Sequence, residues 1–390
     1  IMKNYLKKSI SKYVFTGVVF ALGVLLMASC ENKEKISKFD DIVNKKIEAM
    51  EKESEEIKSS IEFIKSNNDF AYKTFQDMME DYKNGNHNYI ESDNLVYSPY
   101  SYYRALSLLG TTVDTDIDIL KEVSKVKYSE IGKINNINSA DIGIYNKKFY
   151  DIKKESNSFF LSEFPDDAEN ISRSFQNNIL GEVLLEPDYS NPEIRNVFLN
   201  ATHFLGYWKN SFDKEMTYEE DFNLIDGKTV KKEFMHGESE SKSGFEDERA
   251  AVTYKFLTEE KDGKEITSKL YVVVPKTEGL NEEDSKKLIS EVGQDLKSYI
   301  ERDMDVYDEV YLSLPKVKIK TKIDLLVMGR LHDYGFSGIL IPNENYMRSK
   351  DEKAEAISSI IQVATLELDE EKVEAKAVTE IVVKSTAVQG

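Results

Sequence analysis

The sequence predicts a mixed α+β fold. Two observations carry that prediction: a strongly signalled helix early in the chain, and later strand-like runs that no regular helix–strand alternation connects, which argues against a parallel doubly wound sheet. In chain order, the globular pattern begins near Asn67, where Phe70, Ala71, Phe75 and Met78 fall at helical spacing. Ser98 is placed to cap the next helix, Pro99 fits its first position, and Gly110 suits its end. Asp151 to Glu163 and Glu169 to Leu180 read as helices. Val197 to Phe204, Leu270 to Val274, Glu309 to Leu314 and Ile360 to Leu368 read as strands, and Asp226-Gly227 reads as a hairpin turn.

The 390 residues are 40% apolar and 11% aromatic, enough for one large core, and no internal repeat divides them. A formal net charge of −19 repels phosphate backbones. Nucleic acid and polyanionic cofactors are therefore not expected partners.

The amino terminus reads as an export signal. Lys3, Lys7, Lys8 and Lys12 precede an apolar run from Val14 to Met27, too short for a comfortable membrane span, and Ala28 and Ser29 stand before Cys30, the only cysteine. Removing residues 1–29 takes away four lysines and no acid, which moves the formal charge from −19 to −23. Leu26-Met27-Ala28-Ser29-Cys30 resembles a bacterial lipobox, with Met27 where leucine is usual, and the resemblance makes Cys30 the acylated first residue of the mature chain. Residues 30–60, rich in lysine, glutamate and serine, read as a charged stalk, and residues 61–390 as the folded domain.

Enzyme signatures are missing. Gly227-Lys228-Thr229 lacks the upstream glycine of a phosphate loop, and there is no Gly-x-Ser-x-Gly elbow. His87, His203, His236 and His332 form no pair at ligand spacing, so solvated or satisfied side chains are their expected state. Neither a catalytic residue, a metal nor a cofactor is expected.

A set of segments in fixed order resembles the serpin family from about residue 60 onward. Asn68-Asp69-Phe70-Ala71 is similar to the start of the family's first helix, and Asn94 to Ser101 to its Ser-Pro-x-Ser tract. Phe198-Leu199-Asn200-Ala201-Thr202-His203-Phe204-Leu205-Gly206-Tyr207-Trp208 resembles its Asn-Ala-x-x-Phe-x-Gly-x-Trp strand, followed by Phe212-Asp213, Leu314-Pro315-Lys316 and Phe336-Ser337-Gly338. The resemblance implies helices around three β-sheets with an exposed reactive-centre loop. It also implies a conformational gate at Ser98, Ser101, Asn200 and Gln362, with Trp208 at the top where the loop enters the sheet.

After Asp369 the tract Glu370, Glu371, Lys372, Val373, Glu374, Ala375, Lys376, Ala377, Val378 and Thr379 occupies the family's loop hinge. From Lys372 to Val383 it alternates with period two, one face being Val373, Ala375, Ala377, Thr379, Ile381 and Val383. That predicts a half-buried strand with small residues leading its buried face. In serpins such a loop is cleaved by a protease and then adds a strand to the main sheet. The implied function is trapping of a serine or cysteine protease as a covalent complex, without catalysis by the inhibitor. The family's loop length places the cleaved bond at Thr386-Ala387, suiting an elastase-like protease, or near Lys384, suiting a trypsin-like one, if the register shifts. The expected partners are a target protease and, through the lipid anchor, a cell-envelope membrane, and the expected state is a monomer.

Departures from the family pattern set further expectations. Lys372 stands where glycine is usual and removes backbone freedom from the hinge. That favours, as the alternative, a non-inhibitory surface-binding lipoprotein. Lys376 replaces a small residue on the outward face, where a charge can stay solvated, and Gln362 replaces a histidine, removing a titration near neutral pH. Leu120 to Asp141 looks too short for polyanion-binding helices. The chain stops at Gly390, before the family's two closing strands, so the natural protein is expected to continue.

Overall fold

The computed structural model describes residues 38–55, 61–92, 94–111, 137–150, 158–261, 264–331, 349–351 and 353–385. The export signal, Cys30, His332, Phe336 to Gly338, Thr386 and Ala387 lie outside the described residues, as does most of Leu120 to Asp141.

Helices α1 (Lys38–Glu55), α2 (Ile61–Asn84) and α3 (Pro99–Gly110) precede strands β1 (Asn138–Asn146) and β2 (Phe159–Ser162). Helix α4 (Asp166–Leu180) leads into the long strand β3 (Ile194–Trp208). Strands β4 (Thr217–Asn223) and β5 (Thr229–Glu238) form a hairpin, then come β6 (Ser243–Glu246), β7 (Ala250–Lys261) and β8 (Lys264–Pro275). Helices α5 (Glu282–Gln294) and α6 (Leu296–Ile300) precede β9 (Asp305–Val306), β10 (Tyr311–Pro315), β11 (Val317–Asp324), β12 (Glu355–Leu368) and β13 (Lys372–Ser385).

The local signals explain the ends of these elements. Ser98 caps α3 by accepting from the Ser101 N–H at 3.3 Å, and Pro99 opens the helix, where a missing N–H costs nothing. Gly110 is its last residue, and Thr111 makes the terminal turn. Gly181 ends α4 at φ 74°, a conformation that glycine adopts without a Cβ clash. Gly227 likewise sits at φ 81° in the β4–β5 turn.

The main sheet runs β11–β12–β13–β3–β1–β2, antiparallel except for the parallel β1–β2 pair. At its upper end β3 passes to a second layer through only two residue pairs, Tyr207–Thr258 and Trp208–Leu257. That layer is built on the β7–β8 hairpin, with β6 and β9 at its side. The third layer is β10–β5–β4. Helices around these three layers give the expected α+β fold.

Two parts of the sequence reading change. Phe159 to Ser162 is strand rather than helix, because pairing with Gly143 to Asn146 of β1 and burial of Phe160 outweigh local helical spacing. In the charged stalk, α1 packs on the body: Val43 and Ile47, four residues apart on one face, are buried against α4 and the main sheet. Two polar ties hold it there. Ser174 Oγ donates to Asp40 Oδ1 at 2.5 Å, and Lys46 Nζ donates to the Phe159 carbonyl at 2.5 Å.

Candidate functional site

The loop tract is β13, and in this structure it is not exposed. It lies between β12 and β3 in the middle of the main sheet, paired with β12 from Val373–Leu368 to Ser385–Glu355 and with β3 from Lys372–Tyr207 to Lys384–Ile194. Both backbone edges are therefore satisfied along nearly its whole length, which a buried strand requires.

The predicted face is inward. Val373, Ala377, Thr379, Ile381 and Val383 are buried, and Ala375 packs on the upper core. The expectation of a half-buried strand holds only above Ala377. From there to Val383 both faces are covered, because α4 and α1 lie over the second face and take Val378 and Val382 into their apolar cluster.

Glu374, Lys376, Thr379 and Glu380 each meet a partner set outside β13. Glu374 Oε1 lies 2.9 Å from His203 Nε2 of β3, and its Oε2 accepts from Lys372 Nζ at 2.7 Å. The His203 hydrogen bond, then Lys372 and Lys376, holds the Glu374 carboxyl well below the usual carboxylate range. Lys376 does not stay solvated: its side chain is 17% exposed, and Nζ donates to Glu182 Oε1 at 2.7 Å, just beyond the Gly181 cap of α4. Lys372 is not strained, since Lys242 is the only non-glycine among the described residues with positive φ. Its N–H and carbonyl close the β12–β13 turn with Asp369, at 2.9 and 3.1 Å.

The gate residues sit beneath α3 along one row of the sheet, Gln362–Thr379–Asn200–Asp141. Gln362 Oε1 accepts from the Ser98 N–H at 2.8 Å, and its Nε2 donates to the Ser98 carbonyl and to Thr379 Oγ1, each at 2.9 Å. Ser101 Oγ is 2.8 Å from Thr379 Oγ1. Thus Ser101 and Gln362 converge on one hydroxyl that the loop brings, and the Ser98 backbone holds the Gln362 amide in place. Asn200 does not join them: its Nδ2 donates to Asp141 Oδ1 at 2.8 Å and to Ser139 Oγ at 2.9 Å, tying β3 to β1 instead. Arg104 of α3, which the sequence reading missed, completes that side through Nε to Asp141 Oδ2 at 2.8 Å.

Trp208 is buried at the top. Its Nε1 donates to the Asp369 carbonyl at 2.7 Å and its N–H to the Glu371 carbonyl at 3.0 Å, while the Phe212 N–H bonds to Glu370. Trp208 and Phe212 thereby hold the base of the hinge. At the opposite end Lys384 pairs with Ala356 and Ile194, and the Ser385 N–H donates to the Glu193 carbonyl at 3.0 Å. The proposed bond Thr386-Ala387 lies beyond the described residues.

The family described as Serpin (serine protease inhibitor) matches residues 144–389, more than half of the chain. The chain belongs to the serpin family. It is 27% identical over 260 residues to Antichymotrypsin-2 of Bombyx mori, covering 66% of this chain and 65% of that protein. The chain thus spans slightly less than two thirds of that relative's length. With an uncharacterized serpin-like protein of Methanosarcina acetivorans it shares 24% identity over 361 residues, 82% of this chain and 78% of the other. The fold is similar to that of the thermophilic serpin Tengpin in the latent state, with TM-score 0.58 and 20% identity over 83% of this chain and 89% of that one.

Proposed function

We propose that this protein inhibits a serine or cysteine protease by cleavage-triggered insertion of the 370–385 segment into its main sheet. The observation that carries the reading is the fit of β13 to its slot. Its small residues face the upper core, Thr379 completes the Ser98–Ser101–Gln362 cluster, and Glu374 and Lys376 meet charges on β3 and after α4. A protease that attacks near Thr386-Ala387 forms an acyl-enzyme on the segment's new end. Insertion then carries that end along β13, 14 residues or about 45 Å at the usual rise of a strand, from the Trp208 pole to the opposite one. The inhibitor contributes a mechanical step and no catalytic group.

The alternative, a non-inhibitory surface-binding lipoprotein, has Lys372 as its main support; in the inserted strand that residue has an ordinary backbone and pairs with Glu374, so it is compatible with insertion. Incubation with elastase-like, trypsin-like and papain-like proteases is expected to give a complex that survives denaturant with at least one of them. Clean turnover of the protein as a substrate by all three overturns the reading.

The same proposal places the protein at a bacterial membrane through acylation of Cys30 after removal of residues 1–29. Labelled fatty acid should enter the parent protein and not Cys30→Ala; equal labelling of both rejects the anchor.

A further inference from the structure

Glu380 is the one acidic residue of β13 that takes no ion-pair partner among the described residues. It is buried on the face covered by α4, between Val378 and Val382, with Leu199 of β3 and Ile361 of β12 beside it in the sheet. Its Oε2 accepts from the hydroxyl of buried Tyr189 at 2.6 Å.

The charged groups on the elements packed around it are directed elsewhere. On α4, Glu169 accepts the Tyr189 N–H at 3.0 Å and is paired with Arg173, which also reaches Glu186. On α1, Asp40 and Lys46 bond to Ser174 and to the Phe159 carbonyl. On β3, Arg195 pairs with Asp351 and His203 with Glu374; on β12, Glu355 takes the Tyr150 hydroxyl and Glu367 pairs with Lys318. On β13 itself, Lys376 pairs with Glu182. A carboxylate brought into this slot loses water and gains one neutral hydrogen bond.

We propose that insertion of the loop is coupled to uptake of one proton by Glu380, so that the inserted state forms more readily in mildly acid surroundings. The inference rests on the insertion reading above, in which the same carboxyl starts in water. Burial raises the inserted carboxyl from an ordinary 4.5 to about 7, with the Tyr189 hydrogen bond opposing part of that rise.

The sign follows from the direction of that shift. The acid is weaker after insertion, so the inserted state binds the proton more tightly and gains stability as pH falls from about 7 towards 4.5. Above about 7 the carboxyl is ionised in both states and the full penalty applies. A tenfold change per pH unit of separation makes the coupling about two orders of magnitude in the insertion equilibrium across that window.

The test compares the thermal midpoint of loop-cleaved and uncleaved protein between pH 5 and 8.5, in the parent and in Glu380→Gln. The gain on cleavage should fall as pH rises through about 7 in the parent and lose that step in Glu380→Gln. Burial pushes the Glu355 carboxyl up to about 7 as well, and Glu355 pairs with Ser385 of β13, so Glu355→Gln is the control and should retain the step. A second measurement needs no variant. Cleaving the parent in unbuffered solution at pH 6, where hydrolysis itself is proton-neutral, should take up close to one proton per chain. A step in Glu380→Gln equal to the parent's, or no uptake, overturns the coupling; no gain from cleavage at any pH overturns cleavage as the trigger of insertion.

Discussion

On the proposed mechanism, Ala377→Arg is expected to turn this protein from a protease trap into a protease substrate. Ala377 is 3% exposed in β13, flanked by Ala364 and Thr202 in the sheet and in one apolar cluster with Phe204, Leu366 and Val373. A guanidinium there has room neither for its stem nor for a partner. On the proposed mechanism the same side chain stands in water before cleavage and costs little there, so the penalty falls on insertion. Burying an unpaired charge costs several kcal/mol even after relaxation, and about 1.4 kcal/mol in a barrier is tenfold in rate. Insertion slowed by about a hundredfold or more lets water release the acyl-enzyme first. The measured result should be loss of the denaturant-resistant complex, cleavage of the loop at the parental bond, and a protease that stays active. Ala377→Gly, which removes one methyl and costs about 1 kcal/mol or less, is the matched control and should still trap. Lys376→Glu would not serve, because it sets a third carboxylate beside Glu182 and Glu374. If Ala377→Arg traps protease as well as the parent does, insertion is not the mechanism.

What could be read from the sequence was local or carried by a contiguous motif. The β3 tract from Phe198 to Trp208, the Ser98 cap and the inward alternation of β13 are each contained in about a dozen residues. The partners that give β13 its fit are not. Glu182, Tyr189 and His203 lie 194, 191 and 171 residues from the loop side chains they meet, and only the β3–β13 register brings them together. His203 was readable as a satisfied histidine, but its partner was not. The buried second face did leave a trace: Val378 and Val382 interrupt the polar row of Lys372, Glu374, Lys376 and Glu380. A strand with one wet face does not need valine there, so the covering helix was hinted at but not located. In α1, Phe39, Val43, Ile47 and Met50 fall at helical spacing among lysines and glutamates, so an apolar stripe was there to be read and the charge around it led to the stalk reading instead.

Cleavage in the loop should raise the thermal midpoint of the protein by on the order of 10 °C. In the centre of a sheet each residue of β13 uses both its N–H and its C=O, and at about 1 kcal/mol net per hydrogen bond this roughly offsets the 1–2 kcal/mol of backbone entropy that ordering it costs. The surplus comes from side chains. Val373, Val378, Ile381, Val382 and Val383 leave water for the cores beneath α3 and α4, and burying one such side chain is worth about 1.5–3 kcal/mol. Five of them put the gain on the order of 10 kcal/mol, an upper bound because a surface loop already covers part of its apolar area. In a domain above 250 residues 1 kcal/mol moves the midpoint by about 2 °C or less, so that gain corresponds to a rise of about 20 °C at most. Differential scanning calorimetry of the intact and the nicked protein reads it directly. Val378→Ala and Val382→Ala should lower the midpoint of the nicked form and leave that of the intact form unchanged, since only insertion buries them against α4. An intact form that already melts at the nicked midpoint, and that falls with the same substitutions, would mean that the loop needs no cleavage to enter the sheet.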